Sequence, residues 1–254
     1  VLVAPIAKDP TALTYLTLRK VVGGIAVLLP FALALPWWLH VHVFQSSISD
    51  YYYTGLRNLF VGSLCAIAMF LLSCRGFDWQ DEVAGAFAAL CALGVAFCPT
   101  TPACPSSYQK DVGFAHYTFA ALLFLTLSYF CLVLFKMTAA TRTVTPQKRQ
   151  RNMVYTVSGL VILASILAIA TSKLLYLLFH WSYSILGFGP VFFFETTSLW
   201  AFGVAWLVKG ETILKDQSHR VQPPLEAVVG VSGLFRSKTG KFFCTISLDA
   251  HSLI

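Results

Sequence analysis

Apolar residues are gathered along this chain into long blocks separated by short polar stretches. Six blocks, at about 21–39, 57–74, 83–98, 112–135, 153–171 and 189–208, are nearly free of formal charge. A helix rises about 1.5 Å per residue, so about 20 apolar residues cross the roughly 30 Å of bilayer hydrocarbon. Backbone groups in lipid must be satisfied internally, which makes these runs helices despite their Val, Ile and Phe content. The pattern predicts an all-α polytopic membrane bundle of six transmembrane helices, covering 21–208.

Details within the blocks refine this picture. Pro30 and Pro36 fall inside the first span, where they predict a kink. The segment 173–186, rich in Tyr and Trp, reads as an interfacial helix lying on the membrane between spans five and six; the competing reading continues the fifth helix beyond the bilayer. Gly85, Ala88, Ala89, Ala92 and Ala96 form a small-residue stripe on the third span, and Gly62 and Ala66 a small-xxx-small pair on the second. Such stripes let helices approach closely, and they predict a central place for the third span.

Composition supports lipid as the solvent. Of 254 residues, 57% are apolar and only 11% charged, against about 25% charged in soluble domains. That excludes a disordered chain, a coiled coil and an ordinary cytosolic enzyme. The net charge of +7 would suggest nucleic acid in a soluble protein, but its placement gives it another meaning. Twelve Lys and Arg fall on one side of the spans, and Arg57, Lys110 and Lys173 on the other. The positive-inside rule then predicts both termini in the cytoplasm (N-in/C-in), and leaves nucleic-acid binding unsupported. The basic stretch TRTVTPQKRQR is the strongest anchor.

Residues 1–20 form a cytoplasmic segment without the apolar core of a cleavable signal, so the first span reads as a retained helix. Residues 209–254 form a cytoplasmic tail, either disordered or a weak hairpin about SKTG. Four cysteines lie within spans and read as packing residues. Cys98 and Cys104 bracket PTTPA on the outer side, where a disulfide is open to them.

Polar groups at membrane depth carry the functional hint. Counted from the basic anchors, Glu195 lies about 21 Å, Arg57 about 27 Å and His116 about 30 Å from the inner boundary. Asp50, in the first outer loop before Tyr51–Tyr53, belongs to the same side. A carboxylate inside a span is costly unless paired, protonated or facing water. Glu195 therefore reads either as an ion pair with Arg57 or as a proton acceptor or ligand in an outward-facing cavity. His116 reads as a hydrogen-bonded interfacial histidine or a ligand, and Asp50 as a helix cap or a substrate-positioning group. His116, Glu195 and Asp50 could supply metal ligands, but no spacing such as HExxH enforces it. No cofactor motif is present: P-loop spacing and the GxSxG elbow are both missing.

Three stretches, SISDYYYTGLRNLFVGSLCAIAMFLLS, HYTFAALLFLTLSYFCLVLF and FETTSLWAFGVAWLVKGE, together resemble a family of uncharacterised bacterial inner-membrane proteins with six predicted spans. The likeness covers about residues 12–216 and implies the span count, without an activity. The polar outer ends are more distantly similar to the membrane hydrolase superfamily that includes alkaline ceramidases, which use a Ser, an Asp and several His around a metal. Here the last span carries Glu195 but no pair of His one turn apart, and a span is missing. Three functions follow as expectations. The first is binding or transport of a small molecule or lipid through an outward-facing polar vestibule using Glu195, Arg57, His116 and Asp50. The second is metal-dependent intramembrane hydrolysis, and the third a non-catalytic membrane scaffold.

Overall fold

The computed structural model of the chain describes residues 10–73, 79–137 and 145–214, with backbone alone over 10–15. The described residues form six α-helices, two short 3-10 turns and no strand: α1 Pro10–Val41, α2 Arg57–Ser73, α3 Trp79–Phe97, α4 Ser107–Leu132, α5 Pro146–Phe179 and α6 Pro190–Lys209. Five of them are long and apolar enough to cross a membrane; α2, at 17 residues, is apolar but shorter. The tail expected to be disordered or hairpin-like lies, beyond Leu214, outside the described residues.

Local chemistry fixes the helix ends. Ser106 and Gln109 make a reciprocal capping box at the start of α4. Thr145 accepts the Lys148 N–H, with Pro146 in the first turn, to start α5. The second half of the expected basic loop, from Pro146 onward, is therefore helix. α5 then runs unbroken to Phe179 and ends at His180, which is left-handed at φ 50°. The expected interfacial helix over 173–186 does not form. Residues 173–179 continue α5, as the competing reading had it, and 180–189 are irregular apart from one small bridge between Ile185 and Phe188. Nothing between Thr171 and Phe179 breaks a helix, so the ladder simply continues.

α1 is helical through both prolines. Pro30 cannot supply an N–H to the Ala26 carbonyl; at the next residue the Trp200 indole of α6 donates to the Val27 carbonyl at 3.1 Å.

Sequential helices pack side by side from α1 to α6, and α6 returns to α1. α4 and α6 also meet directly, so α5 packs on the outside of that pair. The small residues of α3 are buried as expected, but against α2 and α4; the crossing helices of the bundle are α4 and α6. Gly62 lies in open space and makes no close approach, contrary to its reading as half of a packing pair. α1 and α6 approach closely, since a Cβ on Gly203 would stand 3.0 Å from the Gly23 carbonyl, and α3 meets α2 as closely, a Cβ on Gly85 standing 3.0 Å from the Leu71 carbonyl.

The bundle wears its large apolar side chains outward. Leu28, Met69, Leu90, Phe114, Met153 and Leu167 are each more than half exposed, while α3 buries alanines. A water-facing surface rarely presents so much contiguous hydrocarbon. With the five long apolar helices, this is the pattern of a multi-pass membrane protein.

Candidate functional site

After α1 the chain turns at His42, left-handed at φ 58°, and passes back over one end of the bundle as residues 43–56. Its centre is a 3-10 turn, Ser49–Tyr53. Ser47, Ile48, Ser49 and Tyr51 are all buried, so this loop is a plug rather than a solvated connection. Tyr51, fully buried, packs edge-on against Trp37 and tilted against Phe192, both at 6.5 Å between ring centroids.

Polar bonds hold the plug from three sides. The Glu195 carboxylate accepts the Ile48 N–H at 2.6 Å, and the Ser49 amide adds a weaker backbone interaction. Glu195 thus caps the N-terminus of the 3-10 turn, where unpaired N–H groups favour an anion. The loop returns the favour: the Ser46 carbonyl accepts the Phe192 N–H at 3.1 Å in the first turn of α6. Asp50 is held from the other side. Its carboxylate accepts the Ser46 hydroxyl and, at 2.9 Å, the Thr100 hydroxyl, and its own N–H donates to Ser47 Oγ at 3.0 Å. The Tyr53 hydroxyl donates to the Thr100 carbonyl. His116, buried in α4, bonds the Cys98 carbonyl through Nδ1 at 2.5 Å. A carbonyl only accepts, so Nδ1 carries the hydrogen, and the ring fastens the chain just past α3.

The expected Glu195–Arg57 ion pair does not form among the described residues. Arg57 is exposed; its guanidinium donates to the Tyr52 hydroxyl at 2.5 Å and lies 4.2 Å from the centre of that ring. Backbone amides, nearer and fixed, replace it as partners of Glu195. Asp50 does not cap α2, which starts at Arg57 behind Thr54, whose hydroxyl accepts the Leu56 N–H. Glu195, Asp50 and His116 all border the plug, and Arg57 stands outside it. No three His, Cys, Asp or Glu side chains among the described residues gather as a metal site; each of these three spends its donors or acceptors on the loop or its supports. Cys98 and Cys104 are free thiols, so the disulfide open to them is not made.

A cavity of about 40 Å³ is lined by Leu29, Phe60, Leu64, Val95, Leu123 and Leu199 together with Glu195 and, from the loop, Ile48 and Ser49. It has room for about two waters. Trp38, His42, Phe44, Gln45, Ser46 and Gly187 line a second, open groove of about 470 Å³. The loop thus lends Ser46 to the wall of the groove and Ile48 and Ser49 to the wall of the cavity.

The turn has a titration signature. Burial pushes the Tyr51 phenol above its ordinary value of 10.0, and burial together with the neighbouring Tyr52 and Asp50 charges does the same for Tyr53. A phenol held protonated by the fold adds stability that is complete below the unfolded value and lost as pH rises through the folded one. The unfolding temperature is expected to be flat in this respect up to about pH 10 and to fall above it. Thermal unfolding alongside tyrosinate absorbance checks this; a Tyr51→Phe variant that keeps the same alkaline loss would contradict it.

Comparison with protein-family models, with curated proteins and with solved structures finds no match to this chain.

Proposed function

We propose that the chain is a multi-pass protein of a bacterial cytoplasmic membrane that binds or transports a small solute or lipid component, with its outer gate closed. The segment Ser46–Tyr53 is the gate and Glu195 its latch. One observation carries the reading: the latch carboxylate bonds the gate backbone and lines the same cavity as Ile48 and Ser49 of the gate. Intramembrane carboxylates commonly mark proton or solute pathways. A ligand with its own N–H or O–H donors, such as a small amine or an alcohol, would compete with Ile48 for Glu195 and free the gate. The apolar cavity wall admits only a compact group beneath that donor.

In this reading α2 is the sixth span, rising about 26 Å over its 17 residues. The twelve-to-three distribution of basic residues supports cytoplasmic termini, with the plug facing outward. The experiment is a thiol-accessibility assay. Leu199→Cys, which lines the cavity, is placed in a background with the seven native cysteines replaced, and labelled with a membrane-impermeant reagent. Labelling is expected to be slow with Glu195 intact and about tenfold or more faster with Glu195→Gln, the factor for a hydrogen bond to Ile48 weakened by about 1.4 kcal/mol. Equal protection in both would leave Glu195 as a structural strut in a scaffold and remove the gate.

A further inference from the structure

α1 carries an apolar stripe on its exposed side. Leu28, Phe31, Leu35 and Leu39 are each more than half exposed, and their spacing of three or four residues puts them on one helix face. The stripe rises about 16 Å, the depth of one leaflet of hydrocarbon. It ends where α1 gives way to His42, about 33 Å along the helix from Lys20. At that level Trp38 and His42 help to line the open groove of about 470 Å³.

Aromatic and polar groups share the groove wall. The Trp38 ring lies nearly parallel to Phe44, at 12° and 6.2 Å between centroids, and edge-on to His42 at 5.9 Å. His42 and Gln45 bring an imidazole and a primary amide, both able to accept an N–H. The formal charge tied to the wall is negative, because the Ser46 hydroxyl donates to the Asp50 carboxylate. Arg57, the cation nearest in sequence, is turned to Tyr52 instead, and no Lys or Arg is among the described lining residues. Aromatic rings, neutral acceptors and a carboxylate one hydrogen bond behind them suit an ammonium and disfavour an anion.

The rim points to lipid as the source of that ammonium. Gly187 lines the groove from the segment between α5 and α6, next to Leu186, which is 84% exposed and left-handed at φ 52°. A bulky L-residue adopts that conformation at a cost, and here it holds an apolar side chain outward beside the groove. Val43, also a lining residue, is exposed as well. Residues 174–189 contain no Lys, Arg, Asp or Glu. An apolar rim at the edge of the hydrocarbon opens toward acyl chains and leaves the polar wall to a headgroup.

We propose that this groove holds the headgroup of a phospholipid ending in an ammonium, with an acyl chain lying along the α1 stripe. The site rests on the membrane reading but not on the Glu195 latch, so the thiol assay and the lipid assay fail independently. The full chain, purified in detergent, is assayed by native mass spectrometry against phosphatidylethanolamine and phosphatidylglycerol. Trp38→Leu is expected to retain phosphatidylethanolamine about tenfold less than the wild type, with phosphatidylglycerol unchanged. Trp181→Leu, which removes an exposed aromatic outside the groove, is expected to change neither. Should Trp38→Leu fail to fold, Phe44→Leu is read the same way. An acyl chain adds contact that free ethanolamine lacks, so the bound lipid is expected to stay in millimolar ethanolamine. Its displacement would mark the groove as a site for a water-borne amine and overturn the lipid. Equal retention of phosphatidylethanolamine by wild type and Trp38→Leu overturns the proposal, as does a loss matched by Trp181→Leu or shared by phosphatidylglycerol.

Discussion

Replacing Glu195 with Leu is expected to destabilise the folded protein by about 2–4 kcal/mol, among the largest effects of any single polar substitution in the bundle. The reason is the partner left behind. Ile48 is 3% exposed, and its N–H reaches the carboxylate at 2.6 Å. Without an acceptor that donor is buried and unpaired, at a cost of about 1–3 kcal/mol, and the weaker Ser49 interaction is lost as well. Glu195→Gln retains one acceptor oxygen and is expected to lose about half as much. Thermal unfolding in detergent orders the three proteins. A Leu variant as stable as the wild type would mean that the plug is held by Asp50 and the aromatic packing alone.

The second large effect comes from the α1–α6 crossing. A Cβ at Gly203 would stand 2.6 Å from Val27 Cγ2 and 3.2 Å from Val27 N; one at Gly23 would stand 2.9 Å from the Gly203 carbonyl. Side chains can rotate away, but backbone atoms on both sides cannot, so the helices must separate. Gly203→Ala is expected to destabilise by about 1–3 kcal/mol, the range for overpacked interiors. Gly62→Ala, in open space, serves as the control and gains helix propensity instead. Gly23→Ala combined with Gly203→Ala is expected to fall short of the sum, since both act on one crossing. Equal unfolding temperatures for Gly203→Ala and Gly62→Ala would contradict the close approach.

Much of the helical layout was legible from where charges are missing, because that pattern reports the solvent around each segment. The ends were less so. Lys173 and the aromatic run point to a membrane surface and predict that the fifth block closes near Thr171. Yet charge and aromaticity do not break a helix, and α5 stops only where His180 turns left-handed. Depth counting brought Glu195, Asp50 and His116 to the same end of the bundle. It does not reach partners: the sequence offers Arg57 as a cation for the carboxylate, whereas a backbone N–H leaves no mark in the sequence. One signal was available. Ser47 and Asp50 have the S-x-x-D spacing of a capped turn, and the Asp50 N–H does bond Ser47 Oγ. It marks the loop as ordered and gives a reason to look for what holds it. The Gly23–Gly203 contact was invisible for another reason: these residues lie far apart in sequence and meet only through the return of α6 to α1.

The central claim is that Glu195 latches the segment Ser46–Tyr53 at the cavity. Amide hydrogen exchange on residues 44–53, in wild type and Glu195→Gln, tests it most directly. Protection at Ile48 and Ser49 is expected to fall about tenfold or more in the variant while the α6 amides beyond its first turn stay protected. Unchanged protection at Ile48 and Ser49 would contradict the latch.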